Sequence, residues 1–294
     1  MKKNFIYALS AVLIWSTTAS LVKLLLSDIP NMEAMAISCI LSTLFLLVFN
    51  IITGKIKLMK SYSLKDYAIM AGLGFIGLFV YTVLYYFGID NLTAQEACVL
   101  NFLWPIMLVG FSCIILKEKL TLMKAVAMVC SFGGIVILSL GSGELPQGNA
   151  ALGIISCIIC AACYGLFSVL NKKYDYDQGI AMMIMWGITG VCSAILGPLT
   201  EEWVMVGWGE LGGLAWLGIA INAIGYLIWA LALQGTDNTA KIANLAYLTP
   251  FLSIIVSAVF LKETLKLNAL VALVFIIGGI LLQNISFEKG KKKQ

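Results

Sequence analysis

Histidine and arginine are both missing from this 294-residue chain, and all 19 basic residues are lysine. Without histidine there is no Ser-His-Asp triad, no histidine-zinc site and no imidazole proton relay. Without arginine there is no bidentate guanidinium clamp for phosphate. Charged residues of any kind make up only 12% of the chain, about half the share of a soluble domain. There is no Walker-type phosphate loop, so ATP is not expected to drive the process. The net charge of +4 comes largely from Lys289, Lys291, Lys292 and Lys293 in the tail, which does not point to nucleic acid.

What is present is apolar: 61% of the residues, against about 45–50% in a soluble domain. One core cannot hide that excess, so the lipid bilayer is the expected solvent. A spanning helix takes about 20 residues. Polar punctuation divides the chain into ten apolar stretches, roughly 4–26, 33–53, 67–88, 93–116, 122–141, 149–171, 179–199, 211–233, 239–261 and 266–286. Lys2-Lys3 and the run behind them could pass for a secretory signal. The run continues to about Leu26 and more spans follow, so it reads as the first helix. Lysine then orients the chain. With the N-terminus in the cytoplasm, sixteen lysines fall on the inner side. Only Lys262 and Lys266 fall in outer loops, and Lys23 lies within the first span. Both termini are expected to be cytoplasmic, in the inner membrane.

The chain repeats itself. Asn101-Phe-Leu-Trp-Pro105 precedes Lys117-Glu118 as Tyr247-Leu-Thr-Pro250 precedes Lys262-Glu263, both at an offset of 145. Phe132-Gly-Gly-Ile135 and Ile277-Gly-Gly-Ile280 keep that offset. Thr93-Ala94 matches Thr239-Ala240 at 146, and Trp15-Ser16 with Lys23 matches Tyr164-Gly165 with Lys172 at 149. The expected organisation is a five-helix repeat over residues 1–145 and a second over 146–294, the latter with the basic tail. Five is odd, so the second repeat enters the membrane inverted. Inverted repeats are the architecture of alternating-access transporters, with the substrate near the midplane. The fold class expected is all-α integral membrane, with ten transmembrane helices.

Polar residues within spans are costly and tend to line a pathway. Glu96 and Asn101 in helix 4, about 140° apart around the axis, are candidates to border one cavity. Asn244 and Tyr247 share a face of helix 9, and Lys241 extends it. Pro105 and Pro250 each free a carbonyl one turn earlier, those of Asn101 and Ala246, and read as structural kinks or hinges. Within the spans lie Trp15, Tyr81, Tyr85, Trp104, Tyr164, Trp186, Tyr226 and Trp229. The pairs Tyr81/Tyr85 and Tyr226/Trp229 each make one aromatic face, suited to stacking or to a cation. Helix packing and lipid contact are the competing uses of all these side chains. Lys23 and Lys172 read as snorkelling to the interface, and Trp203 and Trp208 as interface anchors. Cys157, Cys160 and Cys163 lack histidine or a nearby carboxylate and read as packing residues, so no cofactor or metal is expected.

These segments carry a resemblance. Ile14-Trp-Ser-Thr17, Glu96 with Asn101-Phe-Leu-Trp-Pro105, Asn171-Lys-Lys-Tyr174 after helix 6 and Tyr247-Leu-Thr-Pro250 resemble the drug/metabolite transporter superfamily, EamA type, over nearly the whole chain. Within it the chain looks most like the aromatic amino acid exporters. The resemblance implies two five-helix inverted halves and a secondary transporter exporting aromatic or similar-sized amino acids. Ala246 stands where a symmetric partner of Asn101 would be, so no symmetric polar pair is carried over. The alternatives are transport of a small organic cation or other amphipathic metabolite, and an intramembrane enzyme or scaffold. The lack of a convincing nucleophile–base set argues against the enzyme. The expected partners are lipid and a small-molecule substrate, and no oligomeric state follows from the sequence.

Overall fold

The structure, a computed structural model, describes residues 2–18, 20–21, 29–92, 97, 100–139, 149–260, 271 and 274–282. Glu96 and Lys23 lie outside the described residues, as do Thr93, Lys262 and Glu263. Among the described residues there is no strand. In lipid a backbone must satisfy its own hydrogen bonds, which a helix does within one segment.

Among the described residues ten main helical stretches follow one another, with a short 3-10 helix at Lys55–Ser61 between the second and third. They are α1 (Lys2–Trp15), α2 (Asn31–Ile52), α3 (Leu64–Gly74, Phe75–Val80 and Tyr81–Asn91) and α4 (Trp104–Ile115). Next come α5 (Leu122–Ser139), α6 (Ala150–Tyr174), α7 (Gln178–Thr200) and α8 (Trp208–Ala215, Trp216–Gly225 and Tyr226–Gln234). The last are α9 (Thr239–Ala243, Asn244–Tyr247 and Leu248–Phe260) and α10, described over 274–282. Five of them are long and apolar enough to cross a membrane: α2, α3, α6, α7 and α8. The 22 residues of α2 span about 33 Å, the thickness of the hydrocarbon core.

Unlike those of a soluble bundle, the helices are apolar on the outside as well as in the core. On α2, Ile40, Leu44, Val48 and Ile51 are exposed, while Ser38, Cys39, Ser42 and Asn50 are buried. On α7, Val191, Ile195 and Leu199 are exposed, while Thr189, Gly190, Ser193 and Gly197 are buried. Apolar stripes face lipid, and small residues let the α2 and α7 backbones approach.

Main contacts come in pairs related by exchanging the repeats. Helix α2 packs on α7, and α4 on α9. The packing of α3 on α6 is mirrored by α8 on α1, that of α4 on α6 by α9 on α1, and that of α2 on α8 by α7 on α3. Ser131 of α5 donates to the Ile276 carbonyl of α10. The repeats also share their irregularities. A π-helical turn sits in α3 at Phe75–Val80 and in α8 at Trp216–Gly225. Such turns widen a helix locally and often mark functional positions.

Two glycines admit aromatic rings at these contacts. A Cβ on Gly77 would lie 2.2 Å from the Phe167 side chain, and one on Gly225 would lie 2.8 Å from the Trp15 indole nitrogen. Both prolines open a restarted helical segment instead of kinking a continuous one. Pro105 stands in the first turn of Trp104–Ile115, and Pro250 in that of Leu248–Phe260. There a missing N–H costs nothing.

The bundle is tied at both ends. At the end where α2 and α6 finish, Lys55 pairs with Asp177 at 2.7 Å and Asn50 donates to the Gly179 carbonyl. Asn4 donates to the Gly235 carbonyl there. This is the lysine-rich end. At the opposite, acidic end, Glu33 accepts from the Val204 amide and Glu201 from the Met32 amide.

Candidate functional site

Nine aromatic rings drawn from α1, α3, α4, α6, α7 and α8 form one continuous cluster at the centre. Trp15 lies 5.2 Å from both Tyr226 and Trp229, centroid to centroid. Trp104 meets Trp229 at 5.5 Å and Tyr164 at 4.9 Å, both edge to face. Tyr164 touches Tyr81 at 5.1 Å, Tyr226 at 6.0 Å and Phe167 at 5.7 Å. Tyr81 stacks with Tyr85, and Trp186 meets Tyr226 at 4.9 Å. The structure thus joins the two aromatic faces anticipated at Tyr81/Tyr85 and Tyr226/Trp229 through Tyr164. Edge-to-face pairs of this kind are worth about 0.5–1.5 kcal/mol beyond burial.

The cluster is not fully satisfied. The indole N–H groups of Trp15, Trp186 and Trp229 are buried and have no hydrogen-bond partner among the described residues. A buried unpaired donor costs about 1–3 kcal/mol, so each is primed to donate to an acceptor.

A narrow cavity of about 10 Å³, room for about a single water, adjoins the rings. Tyr164, Phe167, Tyr226 and Trp229 wall one part of it, Ser168, Asn171 and Lys172 another, and Met182, Ala230 and Leu233 complete the lining. The Asn171 amide donates to Gln178 at 2.8 Å, while its carbonyl oxygen is buried and unpartnered among the described residues. The cavity therefore combines π faces, an indole donor and a free amide oxygen.

Asn101 reaches the same cluster from the turn just before α4. It is buried, accepts from the Cys160 thiol at 3.4 Å and is a hydrogen-bond partner of Tyr81. Asn244 and Tyr247 lie elsewhere. They are wholly buried in the 3-10 turn of α9, and Tyr247 meets Phe132 of α5 at 6.3 Å. Neither lines the cavity, and nor do Trp15, Tyr81, Tyr85, Asn101 and Trp104, which stand behind its rings. Lys241 instead lines a second pocket beside Lys2, Phe5 and Thr236.

Lys172 corrects an expectation. It does not snorkel out of α6 but turns into a buried network at the cavity floor, with only 12% of its side chain exposed. Its ammonium donates to Glu118 Oε1 at 2.6 Å, Thr239 Oγ1 at 2.8 Å and the Thr236 carbonyl at 2.5 Å. Asn171-Lys-Lys-Tyr174 is correspondingly the last turn of α6, not the loop after it. That misplacement hid Asn171 as a cavity residue. Phe167 carried no polar signal, and Trp186 was one more ring in an apolar run.

Comparison with known proteins gives the context. The model of the EamA-like transporter family matches residues 2–140 and again 151–285. An uncharacterized transporter of Clostridium kluyveri is 25% identical, over 98% of this chain and 95% of that protein. A probable terminal-alkyne amino-acid exporter of Streptantibioticus cattleyicolor is 23% identical, over 75% of this chain and 74% of its own length. A solved crystal structure superposes with a TM-score of 0.87 at 20% identity, covering 98% of this chain and 99% of that one, and so shares the fold.

Proposed function

This chain belongs to the EamA-like transporter family, and from that premise we propose that it exports aromatic or similar-sized amino acids. It is a multi-pass membrane transporter. The reading adds alternating access across the cytoplasmic membrane, with both termini inside. The observation that carries it is the ring cluster joined to a cavity with a free amide oxygen at Asn171. As the helices part during alternation, an aromatic side chain stacks among Tyr164, Tyr226 and Trp229. The substrate ammonium donates to Asn171 and the carboxylate accepts from an indole N–H. Trp15, Tyr81, Tyr85, Asn101 and Trp104 back these rings and hold them in place. The amino-acid cargo in the name of the Streptantibioticus relative supports the class of substrate.

The step is translocation, with no covalent chemistry. Weak binding suffices, since an exporter at millimolar substrate needs about −4 kcal/mol. Glu96 belongs to the proposal on sequence grounds alone, as a cavity carboxylate. A second reading, export of a small organic cation, draws on the same rings through cation–π attraction. Proteoliposomes holding only this protein separate the two. Phenylalanine and tryptophan are expected to compete with a labelled amino acid, and a quaternary ammonium is not. Competition by the ammonium alone would establish the cation reading instead.

A further inference from the structure

The ring cluster explains what the cavity holds but not what closes it. Below the rings, three elements that are distant in sequence meet at the lysine-rich end: the chain just after α4, the last turn of α6 and the first turn of α9. Glu118 supplies the acceptor. Its carboxylate takes a hydrogen bond from the Lys172 ammonium at 2.6 Å, from the Thr239 hydroxyl at 2.6 Å and from the Thr239 amide at 2.9 Å. The last of these caps the N-terminus of α9, where the helix dipole favours an anion. Lys172 in turn spends its three donors on Glu118, Thr239 and the Thr236 carbonyl. The set is self-contained and neutral.

We propose that Glu118, Lys172 and Thr239 are a latch that closes the substrate path at the lysine-rich end, and that the path opens there only when the latch parts. This rests on the alternating-access reading above. Four observations carry it. First, Lys172 lines the cavity floor itself and is adjacent to Asn171, so the latch is the next layer below the substrate. Second, Glu118 belongs to the first half of the chain and its partners to the second, so the latch ties the end of α4 to both α6 and α9. Third, the side chains of Lys172 and Glu118 keep 12% and 17% exposure. Water can therefore replace the bonds as they break, which a fully dry ion pair would not allow. Fourth, Lys117 adopts φ 57°, a left-handed conformation that costs a lysine free energy. It turns the chain back after α4, where the Glu118 amide donates to the Ser112 carbonyl. This is the left-handed cap that ends α4, and it fixes where Glu118 stands.

The sequence carries the same set twice. Offsets of 145, 149 and 146 relate Glu118, Lys172 and Thr239 to Glu263, Lys23 and Thr93, which lie outside the described residues. The repeat has not kept Asn101, whose equivalent is Ala246. The latch residues recur where a binding-site residue has not.

The experiment measures access. In a background with the native cysteines replaced, Ser168→Cys puts one thiol on the cavity wall. Protein is reconstituted in liposomes, and a membrane-impermeant thiosulfonate is applied from the lysine-rich side. Glu118→Gln and Lys172→Met are each expected to speed labelling about tenfold or more. The swapped pair Glu118→Lys with Lys172→Glu is expected to recover most of the slow rate. Lys173→Met, an exposed neighbour, is expected to leave the rate unchanged. Folded single variants that label at the parent's rate would overturn the latch. If the charge variants do not fold, Thr239→Val decides, since it keeps the ion pair: faster labelling supports the latch and an unchanged rate overturns it. Labelling needs no substrate. A parent without amino-acid flux but with accelerated labelling in its latch variants would sink the cargo reading and keep the latch.

Discussion

Helices α4 and α9 occupy equivalent places in the two repeats and use one backbone device for different ends. Each is interrupted just before a proline, and each then restarts. At the α4 break, Asn101 enters the ring cluster with Cys160 and Tyr81 as partners, and Trp104 bridges Tyr164 and Trp229. At the α9 break, Ala246 replaces the asparagine. Asn244 and Tyr247 are buried away from the cavity, with the Asn244 amide atoms and the Tyr247 hydroxyl unpartnered among the described residues. Duplication has preserved backbone geometry while the side chains have diverged. A pseudo-symmetric scaffold can therefore hold an off-axis site: helix breaks recur in both halves, and only one of them adds an amide to the rings.

The largest effect that would test this contrast lies on α4. Trp104→Ala removes a ring that is 5% exposed and touches two others. It is expected to cost about 3–5 kcal/mol of stability and to abolish detectable substrate binding. Thermal unfolding in detergent and equilibrium binding measure the two. Retained binding would remove α4 from the site.

Next comes the reciprocal change. Ala246→Asn places the α4 amide at a fully buried position of α9. Overpacking and an unpaired amide are expected to cost about 1–3 kcal/mol, without raising the stoichiometry of bound substrate above that of the parent. A second equivalent of ligand in a saturation titration would mean that the halves are functionally symmetric after all.

Asn101→Ala is expected to weaken substrate affinity about tenfold, near 1.4 kcal/mol, while leaving the unfolding temperature close to the parent's. An unfolding loss with unchanged affinity would make Asn101 a helix-packing residue. Asn244→Ala should matter least. It deletes unpartnered buried atoms, so the removed desolvation cost offsets the lost packing. Stability is expected to stay within about 1 kcal/mol of the parent, with affinity unchanged. A drop in affinity matching that of Asn101→Ala would place α9 beside the substrate.

Much of the fold is written in one-dimensional signals. Apolar runs long enough to span, a 145-residue echo and a one-sided distribution of lysine are all local or periodic, and they fix the all-α membrane class. The rings were visible as types, because tryptophan and tyrosine inside spans are few enough to name. Their convergence was not visible, since Tyr164 joins Tyr81 to Tyr226 only after three helices pack. Lys172 was misread for the same reason. Its partner Glu118 is 54 residues away, and a lysine near a helix end looks like a snorkelling one until that carboxylate is seen. Asn171 was hidden by two following lysines that looked like a loop. The π turns of α3 and α8 have no sequence mark beyond glycines and bulky neighbours, because they arise from packing.

The account stands on the ring cluster being the substrate site, and tryptophan emission tests that directly. Trp15, Trp104, Trp186 and Trp229 lie in the cluster, and phenylalanine does not absorb where indole is excited. Titrating the purified protein with phenylalanine should give a saturable change in emission in the millimolar range, lost in Trp229→Phe with Trp104→Phe. The contradicting result is the absence of any saturable change, or a change that persists undiminished in the double variant.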